Sequence, residues 1–387
     1  MKIGIDLRTL SEGKTTGVEV YTYNLVRALL DQDSVNDYLL FYSAWKTKPA
    51  FTRQELPKNA RLVSVKAPNR LLNASMLFLG YPKLDKLLGG LDLFFSPRYL
   101  FTALSKECAL IVTIHDLSFM HNPSFFSFKQ RVWHKIISDK RSARRAKAVI
   151  AVSNSTKDDV VRFFNINKNT VKVVYPGLAK DPGEEGGGLD TLKKYGINSE
   201  YIFHLATIEP RKNALGVIDA YENLKQNPKY FQKLVIAGGL GWLYNETLKR
   251  VKNSPQKENI IILQNIDALD KHQLYRNASL FVFPSYYEGF GFPPLEAMAA
   301  GTPVIAGSNS SMKEVLAEAA LFVNPYRTDE ITLAMSQLLE DNKLREIFVE
   351  KGRKRAAEFT WERSARETLE VFEIAASSAS ADSSRRH

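Results

Sequence analysis

The sequence predicts an α/β protein of two domains, each an open parallel β-sheet covered by helices. Apolar, strand-like runs alternate with amphipathic helical stretches along almost the whole chain, the rhythm of βαβ units. The 387 residues, 44% of them hydrophobic, suffice for two domains at about 100–200 residues each. Near the middle, Asp181-Pro-Gly-Glu-Glu-Gly-Gly-Gly188 interrupts the rhythm with three consecutive glycines, a flexible connection that permits hinge motion. The domains are therefore expected at 1–180 and 190–360.

Taken in order, strands are expected at Lys2–Asp6, Leu39–Tyr42, Leu91–Ser96, Leu110–His115, Ala148–Ser153 and Val171–Tyr175 in the first domain. In the second they are expected at Ile202–Ala206, Lys233–Ala237, Ile260–Leu263, Leu280–Pro284, Pro303–Ala306 and Ala320–Val323. Each is a short apolar run of the kind that a sheet buried on both faces requires. Helices fill most gaps, beginning with Val18–Leu30 and ending with a last helix over 361–375. The Ser/Ala-rich end, 376–387, lacks the apolar content to order itself and reads as a disordered tail.

Composition narrows the setting. One cysteine, Cys108, excludes an intrachain disulfide and suits a reducing cytoplasm. No apolar run reaches the roughly 18 residues of a membrane-spanning helix. Met1 runs straight into a strand pattern, so no signal peptide is expected. The net charge is +11 and uneven: residues 1–180 carry 28 Lys and Arg against 14 Asp and Glu, whereas residues 181–387 carry 25 against 28. A basic first half implies an acidic partner for it: a membrane surface, a phospholipid-linked substrate or nucleic acid. No nucleic-acid-binding motif stands out, and no nucleic-acid partner is expected.

The chemistry concentrates in Glu288-Gly-Phe-Gly-Phe-Pro-Pro-Leu-Glu296. A buried strand leads in, and Pro293-Pro294 opens a helix. Gly289, Phe290, Gly291 and Phe292 form a loop whose backbone N–H groups can face a phosphate. Glu288 and Glu296 can accept hydrogen bonds from hydroxyls, or in Glu296's case simply complement the helix dipole. Arg211 and Lys212 follow the strand Ile202–Ala206; adjacent cations there can clamp a diphosphate, or stand solvated. His115 ends a strand at the carboxyl edge where ligands bind, or serves as a structural hydrogen-bonder. Gly17, before the first helix, lets backbone approach a phosphate or is an ordinary turn glycine.

Glu288 and Glu296 match a Glu-x7-Glu motif, and further motifs accompany it in order. They are Thr16-Gly17, Ile114-His115-Asp116-Leu117-Ser118, Ser153-Asn154-Ser155, Val174-Tyr175-Pro176-Gly177, Glu209-Pro210-Arg211-Lys212-Asn213, Gly238-Gly239-Leu240-Gly241-Trp242, Pro284-Ser285-Tyr286-Tyr287-Glu288, Gly301-Thr302-Pro303-Val304 and Phe359-Thr360-Trp361-Glu362. Over nearly its whole length the chain resembles the retaining glycosyltransferases of family 4, in particular bacterial mannosyltransferase-type members. The resemblance implies the GT-B fold: two Rossmann-like domains facing across a cleft, with 361–375 crossing back to the N-terminal domain.

It also implies roles. The N-terminal domain would hold the acceptor and the C-terminal domain a sugar nucleotide. Arg211 and Lys212 would neutralise the donor diphosphate, Glu296 would take the ribose hydroxyls, and Glu288 would support an oxocarbenium-like state at the donor sugar. His115 would lie against that sugar and Gly17 against the phosphate. Gln264-Asn265-Ile266 would border the base, though relatives often carry Gly followed by an aromatic there. After Gly17 they often carry a second glycine and a basic residue, where this chain has Val18-Glu19.

The resemblance implies no cofactor and no metal, with the cations and backbone dipoles taking the metal's part. The donor is expected to be GDP-mannose and the acceptor a lipid-linked glycan of surface polysaccharide assembly. The alternatives are a UDP-sugar transferase of glucosyl or GlcNAc type, or a non-catalytic sugar-nucleotide or glycan-binding module. Finally, 129–147 carries eight Lys and Arg, one acid (Asp139), and Val132, Trp133, Ile136 and Ile137 on one helical stripe. Such a stripe packs inward or docks, with Phe119–Phe126 upstream, on an anionic leaflet.

Overall fold

The computed structural model describes residues 1–11, 17–43, 51–65, 67–98, 100–131, 139–179 and 188–384. Thr16, most of the 181–188 connection, the 132–138 stripe and the last three residues lie outside the described residues. The chain forms two compact units. One comprises the described residues of Met1–Leu117, Val132–Ala179 and Phe359–His387; the other, those of Ser118–Arg131 and Lys180–Glu358. The segment 118–131, read from sequence as part of the first domain, thus belongs with the second.

In the first unit, β1 (Lys2–Asp6), β2 (Asp37–Ser43), β3 (Ala60–Val65), β4 (Leu93–Ser96), β5 (Ala109–Ile114), β6 (Ala148–Ala151) and β7 (Val171–Val173) form one sheet. The order is β3-β2-β1-β4-β5-β6-β7, with every pairing parallel. The central strands are buried along their length, β5 at all six residues, which is why they read as unbroken apolar runs. β3 was not expected. It is an edge strand, half-buried with Arg61 and Ser64 exposed (Ala-Arg-Leu-Val-Ser-Val), and offers no such run.

In the second unit, β8 (Tyr201–Leu205), β9 (Lys233–Ala237), β10 (Ile260–Leu263), β11 (Leu280–Phe283), β12 (Val304–Gly307) and β13 (Leu321–Val323) pair in the order β10-β9-β8-β11-β12-β13. All are again parallel. Its core packs the helix Ala214–Leu224, through Val217, Ile218 and Tyr221, with Ile331, Met335 and Leu338 of the helix Thr328–Glu340 and with Leu234, Ile236, Leu280 and Val282 of the sheet.

The strand orders fix where ligands can enter. Connections run outward in opposite directions from β1 and β4 in one sheet and from β8 and β11 in the other. A crevice opens beyond the strands' carboxyl ends at such switch points.

The first helix is Gly17–Gln32. The last is Trp361–Ser384, continuing past the Ala375 at which the sequence reading stops it and through residues read as a tail. The chain enters it at a close joint. Leu178 donates its N–H to Phe359 O (3.0 Å), Ser364 Oγ donates to Tyr175 O (2.5 Å), and a Cβ on Gly177 would lie 2.2 Å from the Trp361 nitrogen. No side chain fits there, so two of the sequence motifs meet as one structural lock. Among the described residues no helix is long and apolar enough to cross a membrane.

Candidate active site

The second unit's switch point holds four charges. After β8 the chain makes a single turn of 3₁₀ helix, Pro210–Lys212. Asn213 then turns to a left-handed φ of 58° and caps Ala214–Leu224, accepting from Gly216 N–H at 3.1 Å. Its buried amide donates to Pro284 O (3.1 Å) and Pro325 O (2.8 Å), tying the β8, β11 and β13 exits together. Tyr286 N–H also donates to Arg211 O at 2.9 Å. Arg211 and Lys212 are thereby held against Glu288 on the loop after β11.

Lys212 Nζ lies 2.5 Å from Glu288 Oε1, and Arg211 Nη1 lies 3.2 Å from Oε2 while donating to Tyr287 O at 2.8 Å. The other edge of the guanidinium grips Glu209 Oε1, with Nη2 at 2.9 Å and Nε at 3.1 Å. Burial alone would push the Glu288 carboxyl up; Lys212 and Arg211 outweigh it and hold it below its ordinary value. Glu209, 4% exposed, goes the other way: burial raises it more than Arg211 lowers it. Two buried carboxylates and two cations form a neutral cluster whose cations can exchange a carboxylate for phosphate oxygens.

The Glu288 loop is clamped from behind. Glu288 N–H donates to Ser310 Oγ (2.9 Å), and Ser311 Oγ donates to Glu288 O (3.0 Å) and Phe290 O (3.1 Å). Gly289 and Phe290 are buried, and Phe290 packs edge-on against Phe292. Gly291 starts the helix Phe292–Ala299 at a φ of 100°, and a Cβ there would reach 2.3 Å from Met312 Cε. The left-handed φ is what calls for glycine here, and any side chain would also have to displace the end of Met312.

Glu296 is the fifth residue of this helix, just past the first turn where the sequence reading puts it. That distance weakens the dipole as its reason. Its carboxylate is instead held by side chains from the helix Ala268–Arg276, Lys271 Nζ at 2.7 Å and Tyr275 OH at 3.0 Å. Ile266 is half-buried beyond β10, next to Asn265 in the left-handed region. In sheet order β10 is separated from β8 by β9. Arg211, Lys212, Ile266, Glu288 and Glu296 thus all follow strands of one sheet on its carboxyl side.

His115 and Gly17 belong to the first unit. His115 leaves β5 and its Nε2 lies 2.8 Å from Pro97 O, just past β4. A carbonyl only accepts, so Nε2 carries the proton and Nδ1 presents its lone pair. Tyr21 packs edge-on at 4.7 Å, and burial lowers the imidazolium pKa to about 4. Gly17 is exposed at the start of its helix. Of the basic region, the described Arg144 and Arg145 are exposed side chains that donate to backbone carbonyls, Phe164 O (2.9 Å) and Leu104 O (2.8 Å).

Sequence reasoning did not assign Glu209, Asn213, Ser310, Ser311, Lys271 or Tyr275. Glu209 and Asn213 lie inside a quoted motif and were within reach. The others act on Glu288 or Glu296 from about 20 residues away, and no local pattern announces them.

A pH effect follows from the histidines. His204, buried in β8 with Nδ1 2.8 Å from Val282 O, is also lowered by burial to about 4. Both rings are neutral when folded and take protons near pH 6.5 when unfolded. Their contribution to stability is therefore present above pH 6.5 and lost as pH falls from 6.5 towards 4, on the order of a few kcal/mol in all. Calorimetric unfolding at pH 5 in buffers of different ionisation enthalpy is expected to show uptake of nearly two protons beyond that of the carboxylates. His204→Gln is expected to remove about one of them.

Two protein families match the chain in tandem: Glycosyltransferase Family 4 over residues 15–181 and Glycosyl transferases group 1 over 191–355. The O-antigen chain mannosyltransferase B of Escherichia coli is 31% identical over 267 residues, 68% of this chain and 70% of that protein. The serotype-specific mannosyltransferase WbdA of Escherichia coli is 30% identical over 238 residues, 59% of this chain and only 29% of that longer protein. Among solved structures, Anabaena Alr3699/HepE in complex with UDP and glucose superposes with a TM-score of 0.70 at 17% identity, covering 96% of this chain and 99% of that one. At that identity the likeness is one of fold.

Proposed function

This chain belongs to the group 1 and family 4 glycosyltransferases, and from that premise we propose that it transfers mannose from GDP-mannose, with retention at the anomeric carbon and without a metal ion, to a lipid-linked glycan in surface polysaccharide assembly. The observation that carries the reading is the Arg211–Lys212 pair bonded to Glu288 at the β8/β11 switch point. The names of the mannosyltransferase relatives support the sugar.

In this reading the donor diphosphate takes the cations from Glu288, and the freed carboxylate faces the sugar. The bond from the anomeric carbon to the β-phosphate oxygen breaks as Arg211 and Lys212 take up the charge developing on the leaving group. The acceptor oxygen bonds the same carbon from the same face, and its proton passes to the departing phosphate. Glu288 stabilises the positive charge on the ring; Glu296, oriented by Lys271 and Tyr275, takes the ribose hydroxyls, with Ile266 beside the base. His115, neutral above about pH 4, accepts a hydrogen bond from a sugar hydroxyl at Nδ1, and Gly17 offers backbone N–H to phosphate.

A thermal-shift screen against GDP, UDP, ADP and dTDP tests the donor. GDP is expected to raise the melting temperature most, by the equivalent of about 2.7 kcal/mol at a hundred times its Kd. A larger shift with UDP would replace the donor assignment by a UDP-sugar. Nucleotide binding without release of nucleoside diphosphate, whatever sugar nucleotide and mannan-type acceptor is supplied, would favour a binding module.

A further inference from the structure

The helix Asn69–Phe78 of the first unit has an outer face of the wrong kind for water. Its inner face is well fixed: Leu72 and Met76 are buried, and Asn73 Oδ1 accepts at 2.7 Å from Arg8, itself locked in a buried pair with Asp6 (2.6 Å). A surface helix anchored this way ordinarily turns charged residues outward. This one turns out Leu71, Ala74 and Phe78, at spacings of three and four, followed by Leu79 and Tyr81. Leu71 is 67% exposed, Phe78 79% and Leu79 78%. Leu87 adds a further exposed apolar side chain.

The charges that follow this helix in the chain have one outward sign. Lys83 and Lys86 come next in sequence, and the only acidic residue of 69–87, Asp85, is buried and accepts from Ser105 N–H at 2.8 Å. Large exposed apolar side chains, lysines next to them in the chain and no outward acid within 69–87 are the composition of an interfacial anchor for an anionic bilayer. Apolarity alone suits a protein partner equally well; the excess of 28 basic over 14 acidic residues in 1–180 is what favours lipid.

We propose that Leu71, Phe78, Leu79, Tyr81 and Leu87, with Lys83 and Lys86, form a docking surface that seats this unit on an anionic lipid leaflet. This moves the membrane contact from the basic region around 119–147, whose described Arg144 and Arg145 are engaged by the backbone carbonyls of Phe164 and Leu104, to the apolar helix. It agrees with a lipid-linked acceptor, and its test does not depend on one.

The test is flotation of the full chain with phosphatidylglycerol–phosphatidylcholine vesicles and with phosphatidylcholine alone. The wild type is expected to float with the anionic vesicles, less so at high salt because the lysine contribution is screened. The triple variant Leu71→Asp, Phe78→Asp, Leu79→Asp is expected to bind at least about tenfold more weakly. Lys83→Gln with Lys86→Gln should bind more weakly and lose its salt dependence, and Lys140→Gln with Arg141→Gln should behave as wild type.

The three substituted apolar side chains are exposed, so circular dichroism and the GDP-induced melting shift should not change. A wild type that stays at the bottom of the gradient, or a triple variant that floats as well as wild type, overturns the proposal. So does light scattering that shows a dimer broken by the triple variant in a protein that does not float, which would make the face a contact between copies. Flotation without a nucleotide response would leave this surface standing and sink the donor reading instead.

Discussion

Glu288→Gln is expected to lower turnover by about 10²–10³-fold while nucleotide affinity stays the same or rises. The two halves of that result have one cause. The Glu288 carboxylate is the counter-charge of Lys212 at 2.5 Å and of Arg211 at 3.2 Å. A diphosphate must compete with it for both cations. The amide keeps the shape and the bonds of Ser310 and Ser311 to the loop but gives up the charge, so the cations meet the phosphates without a rival. The same lost charge is the one that supports an oxocarbenium-like state, so the barrier rises although the donor is bound. Because Lys212 and Arg211 hold Glu288 below its ordinary value, it is ionised throughout the neutral range and should contribute no rate inflection there. Calorimetry with GDP and steady-state rates decide the matter. An affinity that falls in step with the rate would make Glu288 a donor-binding group only, and a rate within a few-fold of wild type would remove it from the chemistry.

The fold was legible wherever burial is two-sided. β9 carries its hydrophobicity in one buried run and emerges with the residues expected of it, and β5 is buried at all six of its residues. β3 is wet on one edge and shares its pattern with any half-exposed loop. The joint between Gly177 and Trp361 could not be derived from either segment alone, because a clash at 2.2 Å is a property of two pieces of backbone distant in sequence. The site divides in the same way. Arg211, Lys212, Glu288 and Glu296 announce themselves by charge next to glycine and proline. What the sequence hides is how those charges are kept, with Lys271 and Tyr275 as the partners of Glu296. These are ordinary polar residues on ordinary elements, and only the fold brings them within 3 Å of a functional oxygen. The outward Leu71–Phe78 face shows the converse. Its periodicity is that of any amphipathic helix, and nothing in the sequence says which stripe faces the core.

Arg211→Ala is expected to be the most damaging single change, costing on the order of 3–5 kcal/mol of stability as well as donor binding. The guanidinium makes two contacts to Glu209 and one each to Glu288 and the Tyr287 carbonyl. Removing it leaves Glu209, already raised by burial, without its cation in a site 4% exposed. The melting temperature should fall by about 10 °C for a unit of this size. Lysine should not repair it, because one ammonium cannot grip Glu209 with one edge and Glu288 with the other. A second substitution separates the structural cost from the functional one. Adding Glu209→Gln to Arg211→Ala removes the orphaned charge and should recover a large part of the stability, yet it restores no cation for the diphosphate. GDP affinity of the double variant should therefore remain about ten- to a hundredfold below wild type, even at a temperature where both proteins are fully folded. If affinity returned with stability, Arg211 would be a structural residue of the β8–β11 joint, and the diphosphate would have to be held by Lys212 and the Gly289–Phe292 backbone alone.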